Sequence, residues 1–197
     1  KETFSKNVVY VSDAGMPCVS DPGASLVEFC IQNEIAYDVL PGANAILTAY
    51  AMSGFSHTTF SFYGFLDHKG VSRASKLNDA LNDAKLAILY ESPHRLLKLL
   101  EELSIKDANR TIFLAKEISK LHQNSYKDTA LNLFEKFKDI NIKGEWVVII
   151  EPKETVGFNL DLDDILSLDI APKIKAKLIA KMTGESIKDV YQKLLEN

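Results

Sequence analysis

The chain has 197 residues with 46% hydrophobic and 25% charged content, enough to bury one or two ordinary globular cores. A formal net charge of −4 excludes a protein that coats nucleic acid by bulk charge and leaves room only for a local basic groove. The two cysteines, Cys18 and Cys30, lack CxxC spacing and read as buried thiols in a reducing cytosol, and no apolar run reaches the length of a membrane span.

In chain order, Val8-Val9-Tyr10-Val11 reads as a strand buried on both faces, of the parallel-sheet type. Because it stands almost at the start, we expect further chain before Lys1. The loop Ser12–Gly23 follows, with two Ser-Asp-x-Gly units. Gly15 and Gly23 allow sharp turns and close approach to a ligand, and Pro22 suits the first turn of a helix capped by Asp21 or Ser20. Loops beyond the carboxyl ends of α/β strands are where ligands bind, although an ordinary strand-to-helix turn fits equally well. The spacing is neither GxGxxG nor GxxxxGK[ST], so neither a dinucleotide fingerprint nor a P-loop is indicated.

An amphipathic helix is expected over 22–33, a short strand over Ala36–Leu40, and a small-residue helix over 43–53 closed by Gly54. Residues 58–63 predict a strand, and the following helix reaches about Ala84 with Lys69, Arg73 and Lys76 near its start. Those cations hold phosphates or simply form a solvated face. The run 86–90 predicts a buried strand, Ser92-Pro93 a helix start, and 93–103 a leucine-rich helix. Strands are expected at 111–115, at the edge over Asn124–Lys127, and at 146–150, with Asp128 capping a helix to about Lys138. Lys153–Asn159 reads as a linker, followed by short helices near 161–168, 172–182 and 186–195. Their basic edge, Lys173, Lys175, Lys177 and Lys181, touches RNA or merely belongs to a tail docked on the body. The alternation is that of an α/β protein.

Motifs SDAGMPCVSDPG, PGANAILTAYAMSG, FYGFL followed by Lys69 and Arg73, YESPHRLL, AKEISK and KGEWVVIIE occur in this order. Together they resemble the ribosomal RNA small subunit methyltransferase I family, a branch of the tetrapyrrole methylase superfamily. The resemblance covers residues 8–152, and MTGESIKDVYQKLL resembles the family's C-terminal appendage. It implies a two-subdomain α/β sandwich of tetrapyrrole-methylase type with a small helical appendage, divided as 1–56, 57–152 and 153–197. It further implies a cytoplasmic homodimer that moves a methyl group from S-adenosylmethionine to a cytidine ribose 2′-hydroxyl in the decoding region of 16S rRNA, within the 30S subunit. The family's usual opening strand-loop and acidic segment are not seen before Val8, Ala43 stands where proline is common, and Lys116 where arginine is common.

Carried over residue by residue, the cofactor-binding candidates are Ser12, Asp13, Ala14, Gly15, Gly23, Thr48, Ala49, Ser92, Gly144, Glu145 and Trp146. A ribose hydroxyl needs a base, and Glu91, His94 and Glu117 are the candidates, while Arg95 and Lys116 stabilise alkoxide charge or grip phosphate. Lys69, Arg73 and Lys76 are the RNA-binding candidates. His94 also reads as cover for its own helix, and Trp146 as core. No cluster has metal-ligand spacing, so no metal is expected. Two other functions fit the pattern: a methylase acting on tetrapyrrole carbons, and a non-catalytic RNA-binding module.

Overall fold

The computed structural model describes residues 6–153 and 161–195. Two compact units divide the chain, Lys1–Lys153 and Glu154–Asn197. The first is built on a five-stranded sheet of order β1-β2-β5-β3-β4, comprising β1 (Phe60–Phe65), β2 (Leu86–Glu91), β3 (Thr111–Lys116), β4 (Asn124–Thr129) and β5 (Trp146–Ile150). β1 and β2 are parallel, with a register shift at Phe62/Gly64, and the other pairings are antiparallel.

Strand alternation divides the core between two faces. Ala87 and Leu89 of β2, Ile112 and Leu114 of β3, and Trp146, Val148 and Ile150 of β5 pack on one side. There they meet helices α3 (Gly70–Asn82), α4 (Pro93–Lys106) and α5 (Ala130–Phe137) through Leu77, Leu96, Leu99, Leu100, Leu103 and Leu133. The opposite face carries Leu86, Ile88, Phe113, Ala115, Val147 and Ile149 and is covered by Ile46 and Ala49 of α2 (Ala45–Ser53). Two-sided burial explains why β2, β3 and β5 read as continuous apolar runs. β4 lies at the sheet's edge, where its polar sequence NSYKDT suits one solvated side.

Two expected strands are absent. Residues 8–11 and 36–40 are extended without strand pairing, and Val9 and Val11 are exposed rather than buried. Their composition favours β structure, but a strand exists only where a neighbour supplies a hydrogen-bonded ladder, and none of the five strands pairs with either segment. The first helix, α1 (Ala24–Gln32), starts after Gly23, so Pro22 is not its first residue and neither Asp21 nor Ser20 caps it. α2 is capped by Asn44, whose side chain accepts from the Leu47 N–H, and ends on left-handed Gly54 as expected. Thr129, not Asp128, caps α5.

In the second unit, α6 (Leu162–Ser167) opens with a reciprocal Asp161/Asp164 capping box. α7 (Pro172–Thr183) begins on its proline and stops at left-handed Gly184. The Asp189 N–H donates to Ser186 at the start of α8 (Ile187–Leu195). Ile165, Ala176, Ile179, Ala180 and Val190 form its small core. The expected linker, apart from Lys153, lies outside the described residues. No helix among those described is long and apolar enough to cross a membrane.

Candidate functional site at the glycine loop

The loop of residues 12–23 packs Val19 against the core under α2 and meets the rest of the first unit closely near its start and near its end. Near its start, a β-carbon on Gly15 would lie 3.3 Å from the Ala43 carbonyl, and one on Gly42 would lie 3.3 Å from Met16 Cγ. The glycines let two backbone segments approach just ahead of α2, with Gly15 at φ +79°. Ser12 tightens this turn by donating to the Gly15 carbonyl at 2.8 Å. Asp13, Ala14 and Gly15 are left exposed. Farther along, Ser20 Oγ lies 3.8 Å from the β-carbon position of Gly64, so the loop reaches the carboxyl end of β1. Tyr90, at the end of β2, is next to this junction. Burial raises its phenol's pKa, and the negative charges of Asp21 and Glu145 push it the same way.

A buried ionic cluster lies behind the ends of β1 and β2. Glu91 is 1% exposed; its Oε1 accepts from the Ser92 N–H at 2.8 Å and pairs with Arg95 Nε at 2.9 Å. Arg95 Nη1 donates to the Leu66 carbonyl at 3.0 Å, and its Nε also reaches Ser92 Oγ at 3.2 Å. Ser92 therefore anchors an arginine instead of capping α4 with its side chain. Glu91 Oε2 has no hydrogen-bond partner among the described residues, and Arg73 Nη1 stands 3.9 Å away. Desolvation raises the Glu91 pKa against the opposing pull of the Ser92 amide and the two arginines.

The third element joins β3 to β5. Glu117 has φ +49°, and its Oε1 accepts from the Glu145 N–H at 2.8 Å and from Lys120 Nζ at 3.2 Å. The Glu145 amide is the main cause of its lowered pKa, supported by Lys120. The neighbouring Lys116 Nζ lies 5.8 Å from the Trp146 ring centroid.

Three candidates are placed otherwise than the sequence predicts, and a fourth, Trp146, takes its core reading rather than the cofactor-binding one. Arg73 is 3% exposed and forked onto Glu102, with Nη2–Oε2 at 2.7 Å and Nη1 donating to the Asp67 carbonyl, so it is a buried structural cation and not an RNA contact. Trp146 is 3% exposed, packs against Tyr126 and Phe137, and donates to the Lys143 carbonyl, so its ring is core. Ala49 is fully buried under the sheet. A β-carbon on Gly23 would meet Cys18 Sγ at 2.9 Å and Tyr10 at 3.0 Å, so the close approach there is to the chain itself.

Apart from the buried Glu91, the other candidates keep surface. Thr48 and His94 are exposed, Ser92 and Lys116 are half-buried, and Glu145 is exposed at the turn after Gly144. Lys69 is exposed at the N-cap of α3, whereas Lys76 is half-buried and donates to the Phe65 carbonyl. Sequence reasoning missed Phe65 and Tyr90. The signal was an aromatic at the end of each parallel strand, Phe65 lying past the expected 58–63 strand and Tyr90 inside a run read as buried. Among the described residues, no group of three or more His, Cys, Asp or Glu side chains has metal-binding geometry.

Comparison with known proteins gives this geometry a context. The family model of tetrapyrrole (corrin/porphyrin) methylases matches residues 2–133. The ribosomal RNA small subunit methyltransferase I of Campylobacter fetus is 45% identical over 97% of this chain and 71% of its own length. The chain belongs to the ribosomal RNA small subunit methyltransferase I family. The Helicobacter pylori (strain 26695) member is 42% identical over 98% of this chain and 70% of its own length. Among solved structures, the cobalt precorrin-4 methyltransferase CbiF matches with a TM-score of 0.52 at 15% identity, over 70% of this chain and 61% of that one. The methyltransferase CobJ matches at 0.50 and 22%, over 73% and 64%. These likenesses show the tetrapyrrole-methylase fold.

Family membership makes the chain an S-adenosylmethionine-dependent rRNA methyltransferase. The loop meets the cofactor's needs. Two glycine-containing segments touch closely enough that a β-carbon on either would be crowded, and the backbone of 13–15 stays open beside the N-terminus of α2. Backbone amides and a helix N-terminus favour a carboxylate such as that of the cofactor's amino-acid end.

Proposed function

We propose that the chain methylates the 2′-hydroxyl of a cytidine ribose in the decoding region of 16S rRNA, with the 30S subunit as substrate, acting as a cytoplasmic homodimer. In this reading residues 1–56 supply the cofactor loops, 57–152 the second α/β subdomain, and 153–197 a helical appendage. The reading is supported by the relatives' rRNA-methyltransferase names and by one observation above the rest: Arg95, fixed by Glu91, Ser92 and the Leu66 carbonyl, stands at the strand ends that the glycine loop reaches.

The cofactor, when bound, supplies an electrophilic methyl group on a sulfonium. Ser12, Asp13, Ala14 and Gly15, with Thr48 on α2, hold its amino-acid end, while Ser92 and the turn Gly144–Glu145 border the remainder. Aligning hydroxyl, methyl and sulfur is the largest contribution available, about 7–11 kcal/mol for well-oriented reactants. Arg95, or Lys116 at the end of β3, stabilises negative charge developing on the ribose oxygen or holds the adjacent phosphate. Of the base candidates, His94 is exposed on the first turn of α4, whereas Glu91 and Glu117 are bound to fixed partners. His94 accordingly takes the hydroxyl proton, and the two carboxylates position the arginine and the turn. Lys69 and Lys76 contact phosphate.

Labelled S-adenosylmethionine with 30S particles tests the reading. Label recovered as 2′-O-methylcytidine, with Arg95→Ala reduced by about 10²-fold or more, is the expected result. Label on a base carbon, no transfer, or an Arg95→Ala variant as active as the parent overturns it.

A further inference from the structure

Phe65 closes β1 and is 48% exposed, while the next residue, Leu66, is only 2% exposed. The ring is far from loose. The Tyr90 ring lies 5.5 Å away at 53°, and the Arg95 guanidinium carbon is 5.8 Å from the Phe65 centroid. Its backbone is tied on the C-terminal side, because Lys76 Nζ donates to the Phe65 carbonyl at 3.0 Å and Arg95 Nη1 to the Leu66 carbonyl at 3.0 Å. Tyr90 in turn packs edge-on against Phe62 at 5.1 Å. An aromatic face held by a second ring, a guanidinium and two cation-to-carbonyl bonds is pre-ordered and yet open to solvent. The residue before it is Gly64, where the glycine loop arrives through Ser20.

We propose that Phe65, braced by Tyr90 and Arg95, is a stacking platform for an unpaired nucleobase of the RNA substrate next to the reacting ribose. The inference rests on the rRNA-methyltransferase reading and adds to it a binding residue and the ligand class it takes. Sequence-specific RNA recognition uses splayed, single-stranded bases laid on aromatic and arginine planes, and both surfaces are adjacent here. Stacking is tolerant of base identity because every base has a π-face, so the platform supplies grip and orientation and leaves base selection to other contacts. It also fits an acidic chain: one ring and one arginine hold a nucleotide without a broad basic surface.

The test uses the full chain with Phe65→Ala, Phe65→Leu and Phe65→Trp, measuring 30S binding, methyl transfer from labelled cofactor, and cofactor affinity by calorimetry. Phe65→Ala and Phe65→Leu are expected to weaken 30S binding roughly 5- to 150-fold, matching the loss of one stacked base. Phe65→Trp is expected to restore binding, with cofactor affinity within about twofold of the parent throughout. Leucine performing as well as tryptophan overturns the platform, because apolar contact then suffices. Alanine matching the parent overturns it too, and a parallel loss of cofactor affinity does so by showing that the ring serves the fold. A parent that methylates rRNA while Phe65→Ala is unaffected leaves the enzyme reading standing without the platform. A parent that methylates no RNA removes the enzyme reading first and the platform with it.

Discussion

The Glu117 side chain fills the space that a side chain on Gly144 would need: a β-carbon there would lie 2.6 Å from Glu117 Cγ and 2.9 Å from Cδ. Gly144 also has φ +84°, which disfavours any other residue. Gly144→Ala is therefore expected to displace Glu117 from the Glu145 amide and to destabilise the fold by about 1–3 kcal/mol. Urea unfolding of parent and variant measures it, and an unchanged midpoint would show that the turn relaxes freely.

Glu91 gives a pH prediction. Its folded pKa is raised by burial above the ordinary 4.5, so between that value and its own higher one the native state holds a proton that the unfolded chain has released. Stability from this group is full below 4.5 and is lost as pH rises through the raised value. Glu91→Gln, neutral throughout, is expected to flatten that decline and to be no less stable than the parent at neutral pH, while transferring methyl groups more slowly because Arg95 loses its ionic partner. Urea midpoints from pH 4 to 8 beside transfer rates separate the two effects. A variant as fast as the parent would remove the positioning role.

Arg73 and Lys69 should part company. Arg73→Ala leaves Glu102 and the buried Glu91 without their shared cation and is expected to destabilise by about 3 kcal/mol. Lys69→Ala should leave stability unchanged and reduce the salt dependence of RNA binding by about one counterion. Thermal melts and binding titrations across salt concentrations distinguish them, and the reverse assignment would return Arg73 to the surface.

Trp146 is the single tryptophan and is buried between Tyr126 and Phe137. Its emission is expected to report unfolding and to stay nearly constant during cofactor titration. Strong quenching by cofactor before any unfolding would place its ring in the site after all.

The contrast between the two halves of the first unit shows what was legible in the sequence. β2, β3 and β5 were readable because continuous apolar runs are required wherever both faces are covered, and the 146–150 limits match the observed strand. The segments at 8–11 and 36–40 carry the same signal but no ladder, since pairing depends on neighbours that a local pattern does not encode. The loops of the site were legible from glycine, serine and proline, whereas the roles of individual side chains were not. Arg73 looked like a surface cation because helical spacing says nothing of Glu102, which lies 29 residues away in sequence. Ser92 looked like a cap because its arginine partner was unforeseen. Phe65 escaped notice because the expected strand stopped at residue 63, two residues short of the observed end of β1.

The place of β5 has a consequence for biosynthesis. Among the described strands, the one latest in sequence lies third of five, between β2 and β3, and joins the parallel pair to the antiparallel hairpin. A nascent chain halted before Trp146 holds the β1–β2 pair and the β3–β4 hairpin joined through the packing of α4 on α5, with the facing edges of β2 and β3 still open. The cooperative step must therefore wait until Ile150 has cleared the exit tunnel, and until then the half-made enzyme offers chaperones and proteases the apolar ladders that the finished sheet conceals.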